Sequence, residues 1–166
     1  MPYGDIILQA ETTQFRINRD VLAKHSPVFE DMFAVPQPLN EPTMEGCSIV
    51  HVSDTAKDWE LLLEMLYDPF RCEDTLPFDL VASMLRLGRK YEFKAAKENA
   101  KSRIHHEFPA KLDSWIEVEM ISTKIEFQEG FEVDLLNLVY ECEITSSIPV
   151  AAFSLSSYVE PRIASF

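Results

Sequence analysis

At 166 residues the chain has the length of one domain with a small appendage, enough to bury on the order of 70% of its unfolded surface without disulfides or metal. A hydrophobic fraction of 46%, 11% aromatic residues and only 4 Gly exclude a disordered or low-complexity chain. Acidic residues outnumber basic ones 28 to 15, and the resulting charge of −13 repels nucleic-acid phosphate and anionic membrane alike.

Met1-Pro2-Tyr3-Gly4-Asp5 has neither the basic start nor the apolar core of a signal peptide, and no apolar run approaches the length of a membrane span. Asp5 to Gln9 (DIILQ) is short, apolar and β-branched and predicts a buried strand. Thr13 to Asn18, with Phe15 and Ile17 alternating onto one face, predicts its hairpin partner. The link Ala10-Glu11-Thr12 lacks Gly, which leaves the turn type open. Val21-Leu22-Ala23 predicts a short helical turn that ends at Lys24-His25-Ser26-Pro27.

Ser26-Pro27 is a helix start, because the hydroxyl can accept an orphan N–H and proline at the first position sacrifices no donor. Glu30 and Asp31 suit the positive end of that helix, and Phe29, Met32 and Phe33 fall on one face. Pro36, Pro38 and Pro42 then impose an exposed loop. Ser48 to Val52 (SIVHV) predicts a third strand. Asp54 or Thr55 can cap the next helix, whose Trp59, Leu62, Leu63 and Leu66 keep helical spacing before Asp68-Pro69 stops it. A connection with Cys72 leads to a helix near Pro77 to Tyr91, which buries Leu80, Met84, Leu87 and Tyr91. Glu92 to Ile104 continues helically through Phe93, Ala96 and Ala100 to a stop at Pro109. Beyond Lys111 come two amphipathic stretches, Asp113 to Ile121 and Glu132 to Cys142. A weaker segment follows Thr145, and its end, Ser154 to Phe166, is expected to be poorly ordered.

Chemical motifs are missing: there is no nucleophile elbow, Walker loop, dinucleotide fingerprint or zinc-protease helix. His105-His106-Glu107 has the residue types of a metal site, but adjacent imidazoles on a helix diverge by about 100°, so a solvated helix end is expected. Ser26 beside His25 reads as a cap rather than a nucleophile. Cys142 sits between Glu141 and Glu143, which oppose its thiolate. The pairs Glu117/Glu119 and Glu41/Glu45 read as solvated faces, and no basic face interleaved with aromatic residues is visible. No catalytic residue, metal or cofactor is expected. Cys47, Cys72 and Cys142 make an odd set without a C-x-x-C pair, which points to a reducing interior, cytoplasm or nucleus.

In order along the chain, Asp5-Ile6-Ile7-Leu8, Phe15-x-Ile17-Asn18-Arg19-x-Val21-Leu22-Ala23, Ser26-Pro27-x-Phe29-x-x-Met32-Phe33, Ile49-Val50-His51-Val52-Ser53-Asp54, Leu62-Leu63-x-Met65-Leu66-Tyr67 and Leu85-x-Leu87-Gly88-x-Lys90-Tyr91 resemble the BTB/POZ domain. The resemblance covers Tyr3 to Phe108. It implies an α/β fold, a small mixed sheet flanked by helical hairpins, with 3–108 as the domain and 109–166 as an appendage. That appendage resembles the start of the BACK-like helices of ubiquitin-ligase adaptors. Leu85–Tyr91 and Leu135–Pro149 also resemble short single-BTB proteins of fungi.

The family usually has His where this chain has Asn18, which can still bond the backbone at that strand-to-helix corner. The resemblance implies a non-enzymatic protein–protein interaction module, a homodimer that docks a cullin-type ubiquitin ligase scaffold or serves as a repressor-style scaffold without cullin. Asp5 and Arg19 match a charged pocket at the dimer interface of repressor-like members, the alternative being a surface ion pair within one chain. Phe33, Leu39 and Glu41 match the apolar-x-Glu segment, and the helix before it, that contact a cullin. The chain opens almost at its first strand, without the N-terminal elements that many members exchange, so weaker pairing is expected.

Overall fold

The structure of the protein, a computed structural model, describes residues 4–36, 43–68, 75–110 and 124–163, with side chains described as far as Ser156. Strands β1 (Ile6–Ala10) and β2 (Thr13–Ile17) form the expected antiparallel hairpin, in register from Ile6 opposite Ile17 to Ala10 opposite Thr13. Its turn is Glu11-Thr12, and Glu11 takes the left-handed conformation (φ 52°) that usually selects glycine. The Glu11 carboxylate accepts the backbone N–H of Ala56, which helps to hold a side chain at that position.

Helices α1 (Arg19–His25) and α2 (Pro27–Ala34) follow, and Ser26 joins them as the spacing predicts. Its hydroxyl accepts the Phe29 N–H at 3.2 Å and donates to the Tyr91 carbonyl, so one buried side chain both caps α2 and ties it to a distant turn. Most of the proline loop, Pro38 and Pro42 included, lies outside the described residues. Strand β3 (Thr43–Met44) and β4 (Cys47–Val52) are joined by Glu45 and Gly46, both left-handed. β4 runs parallel to β1, from Ser48 opposite Ile6 to Val52 opposite Ala10, and the mixed sheet has the order β2-β1-β4-β3.

Thr55, not Asp54, caps α3 (Ala56–Tyr67), accepting the Asp58 N–H at 3.1 Å. Asp54 instead takes the Tyr91 hydroxyl at 2.6 Å and the Lys90 ammonium at 2.8 Å. Trp59, Leu62 and Leu63 face the core as their spacing predicts, and Leu66 is half-buried. Cys72 lies outside the described residues. A two-residue strand, β5 (Leu76–Pro77), leads into α4 (Phe78–Lys90), and α5 is Lys94–Glu107. The helix does not run straight on at residue 92: Glu92 turns left-handed (φ 57°) and folds α5 back along α4. The sequence there carries neither Gly nor Pro, so the break is set by packing of Tyr91 and Phe93 around Phe29 and Trp59 rather than by a breaker residue.

The Asp113–Ile121 stretch falls outside the described residues. Strand β6 (Ile125–Glu126) pairs in parallel with β5. Gly130 (φ 84°) opens α6 (Phe131–Glu141), the second predicted amphipathic stretch. A 3₁₀ turn at Thr145–Ser147 passes into α7, with a backbone that is helical from Ile148 through Ile163. Buried residues of both parts of the chain form one hydrophobic core. Phe78 and Phe108 meet Phe127 and Phe131 in a cluster with ring centroids 4.1–6.4 Å apart. The architecture is the α/β arrangement that the sequence predicts: a small mixed sheet, helical pairs against it, and a helical appendage.

Candidate interaction surface

The hairpin brings the start of β1 beside the first turn of α1. There Asp5 Oδ1 accepts the backbone N–H of Arg19 at 2.7 Å, and Oδ2 accepts Arg19 Nε at 2.8 Å. Asp5 therefore satisfies one of the orphan donors that every helix start leaves. The expectation for Asn18 is corrected: its side chain makes no capping bond, and its backbone N–H donates to the Tyr67 hydroxyl at 2.9 Å. The Val21 N–H, which an Asn18 side chain could have accepted, bonds the Asn18 backbone carbonyl at 3.1 Å instead. Both ion-pair side chains are about half exposed (50% and 42%), and water weakens their mutual attraction accordingly.

The Arg19 guanidinium also lies 5.8 Å from the centroid of the Phe33 ring, a cation–π approach. Two sets of residues that the sequence assigns to separate roles, Asp5/Arg19 and Phe33, thus share one surface. Leu39 and Glu41 lie outside the described residues. Beneath Arg19 a groove of about 310 Å³ is lined by Ile6, Met32, Phe33, Ile49 and His51. On the outer side of α2, Val28 (38% exposed) and Val35 (61% exposed) flank the half-buried Met32 at positions i, i+7 and i+4. Sequence reasoning places Met32 on a core face, and Met32 does pack partly buried against the core, but that reasoning passes over Val28 and Val35. The 3.6-residue period could have found the outer valines, because Phe29, at 1% exposure, with the partly buried Met32 and Phe33, takes up the core side of this helix.

His105 and His106 are exposed, and His105 Nε2 lies 3.2 Å from Ser146 Oγ. Glu107, read as part of a solvated end, is buried and accepts the backbone N–H of Lys124. The chain returning into β6 covers it, a long-range event with no local signal. Burial first, and the Glu141 carboxylate second, push the Cys142 thiol up to about 11, the direction that its acidic neighbours predict. Among the described residues no three His, Cys, Asp or Glu side chains gather as a metal site. Charged pairs fasten the appendage to the rest: Arg86 Nε donates to Glu141 at 3.0 Å while its Nη1 lies 3.7 Å from Asp58, and Arg89 engages Glu143.

What this surface offers is an apolar helix stripe, a cation over an aromatic ring and a shallow groove, which suits contact with another protein. Compared with known proteins, residues 2–107 match the BTB/POZ domain family. No curated protein matches the chain.

Proposed function

The chain belongs to the BTB/POZ family of protein–protein interaction modules, generally non-enzymatic, and from that premise we propose that it self-associates through the outer face of α1 and α2. The observation that carries this reading is the apolar edge of α2, where exposed Val28 and Val35 flank the half-buried Met32, alongside Arg19 and Phe33. Across a two-fold axis such a stripe meets its own copy, and each apolar group removed from water favours association. Light scattering over a concentration series is expected to give a dimer in the micromolar range. Val28→Glu with Val35→Glu places like charges in that interface and is expected to leave a folded monomer. A wild-type monomer at high micromolar concentration, or a double variant that still dimerises, overturns the reading.

In its finer form the proposal is an adaptor that docks a cullin-type scaffold through Phe33, Leu39 and Glu41. Leu39→Ala with Glu41→Ala is then expected to weaken cullin capture without lowering thermal stability, and equal capture by both proteins removes the cullin role. A repressor-style or structural scaffold without cullin is favoured by a different observation: the Phe33 ring is already engaged by Arg19 and half-buried. The module proper is taken as 3–108 and the appendage as 109–166. An intracellular setting, cytoplasm or nucleus, accords with the free thiols of Cys47 and Cys142. The likeness to short fungal members rests on the sequence blocks alone.

A further inference from the structure

Residues 86 to 106 carry seven Lys and Arg against two Glu, in a chain whose net charge is −13. The first of these cations, at the end of α4, are engaged: Arg86 by Asp58 and Glu141, Arg89 by Glu143, Lys90 by Asp54. Those of α5 differ. Lys94, Lys97 and Lys101 stand at i, i+3 and i+7 on one face, and among the described residues none of their ammonium groups has an ion-pair or hydrogen-bonding partner. Lys97 is held in place by its backbone, which lies so close to Gly88 that a Cβ there would come 2.9 Å from Lys97 Cβ.

Between this stripe and the end of α6 is a cleft of about 250 Å³. Leu85, Ile144 and Cys142 supply its apolar lining, and Lys97, Lys101 and Arg89 its cationic side. Glu98 and Glu143 also line it, and Glu143 is neutralised by Arg89. One turn beyond Lys101, His105 continues the row. Burial and the Lys101 ammonium hold its pKa below the usual histidine range, with Glu98 opposing.

We propose that the α5 stripe and its cleft bind an acidic peptide segment of a partner protein, with carboxylates on Lys94, Lys97 and Lys101 and one apolar side chain seated against Leu85 and Ile144. Charge complementarity selects this occupant. The acidic remainder of the chain repels a long polyanion, yet a short segment meets only the local cations. No Phe, Tyr or Trp stands on the exposed face of α5, so unpaired bases would find no large stacking platform there. This inference goes beyond self-association and does not depend on it.

The test is fluorescence anisotropy of the full chain with a fluorescein-labelled peptide of Glu and Asp bearing one central Leu, at low salt. Binding is expected, and it should weaken as salt rises. Lys97→Glu with Lys101→Glu should weaken it about tenfold or more. The milder Lys97→Gln with Lys101→Gln should fall between, and melting curves establish that both variants are folded. Exchanging the peptide Leu for Ser should also weaken binding. Absence of binding, or affinity that ignores the lysine or leucine changes, overturns the proposal. So does tighter binding of single-stranded polyuridylate than of the peptide, or displacement of the peptide by further copies of the chain itself.

Discussion

The Asp5 carboxylate bonds both the backbone and the side chain of Arg19, and the two bonds differ in worth. The first satisfies an orphan helix N–H, and removing such a cap costs about 1 kcal/mol. The second is a half-exposed ion pair, which contributes about 0.5 kcal/mol or less. Urea unfolding of Asp5→Ala, which removes both bonds, is therefore expected to show about three times the loss seen for Arg19→Ala, which removes only the second. Equal losses would move the stabilisation onto the ion pair. Both residues stand out in the sequence because they flank the two elements that meet there. The lack of a cap from the Asn18 side chain does not, since the Val21 N–H is taken by the Asn18 backbone carbonyl.

Between elements, contact distance decides what the chain tolerates. α4 and α5 approach at Gly88 and Lys97, and a methyl at residue 88 would press on a Cβ that is fixed to backbone. Gly88→Ala gains roughly 1 kcal/mol of helix propensity but meets an overpacking cost of about 1–3 kcal/mol. A net loss on chemical denaturation is expected, and a gain would mean that α5 shifts aside at little cost. The helices themselves are legible in the sequence because their apolar period and their caps, Ser26 and Thr55, are local signals. The strands β3, β5 and β6 are not, because two residues carry no period. Glu92 is hidden for a related reason, its backbone conformation being imposed by neighbours far along the chain.

At the scale of the molecule, the region that matches the family and the appendage share a core. Phe78 and Phe108 on one side interleave with Phe127 and Phe131 on the other, and β6 completes a pair with β5. Ending the chain after Pro109 would remove β6 and expose Leu76, Phe78 and Phe108, all now buried. A lower melting temperature and increased binding of a hydrophobic dye are the expected results. An unchanged melt would establish that residues 1–109 stand alone. Sequence reading divides the chain at Pro109 on the stop there and the restart of helical spacing beyond it. It does not find how they join, because the joining contacts link residues distant in sequence.

Among the described residues four other than glycine adopt the left-handed backbone, and all four are glutamates: Glu11, Glu45, Glu92 and Glu143. Each carries about 1–2 kcal/mol of steric cost that glycine would avoid, offset in part because glycine loosens the unfolded chain. For directed evolution, the familiar glycine remedy is nonetheless closed at three of these turns. Glu11 holds the Ala56 N–H, Glu45 holds Arg16 and Glu143 holds Arg89, so the mutation would relieve torsion and sever a tether together. At Glu92 no such tether exists among the described residues, which leaves one turn where that trade runs in favour of the folded state.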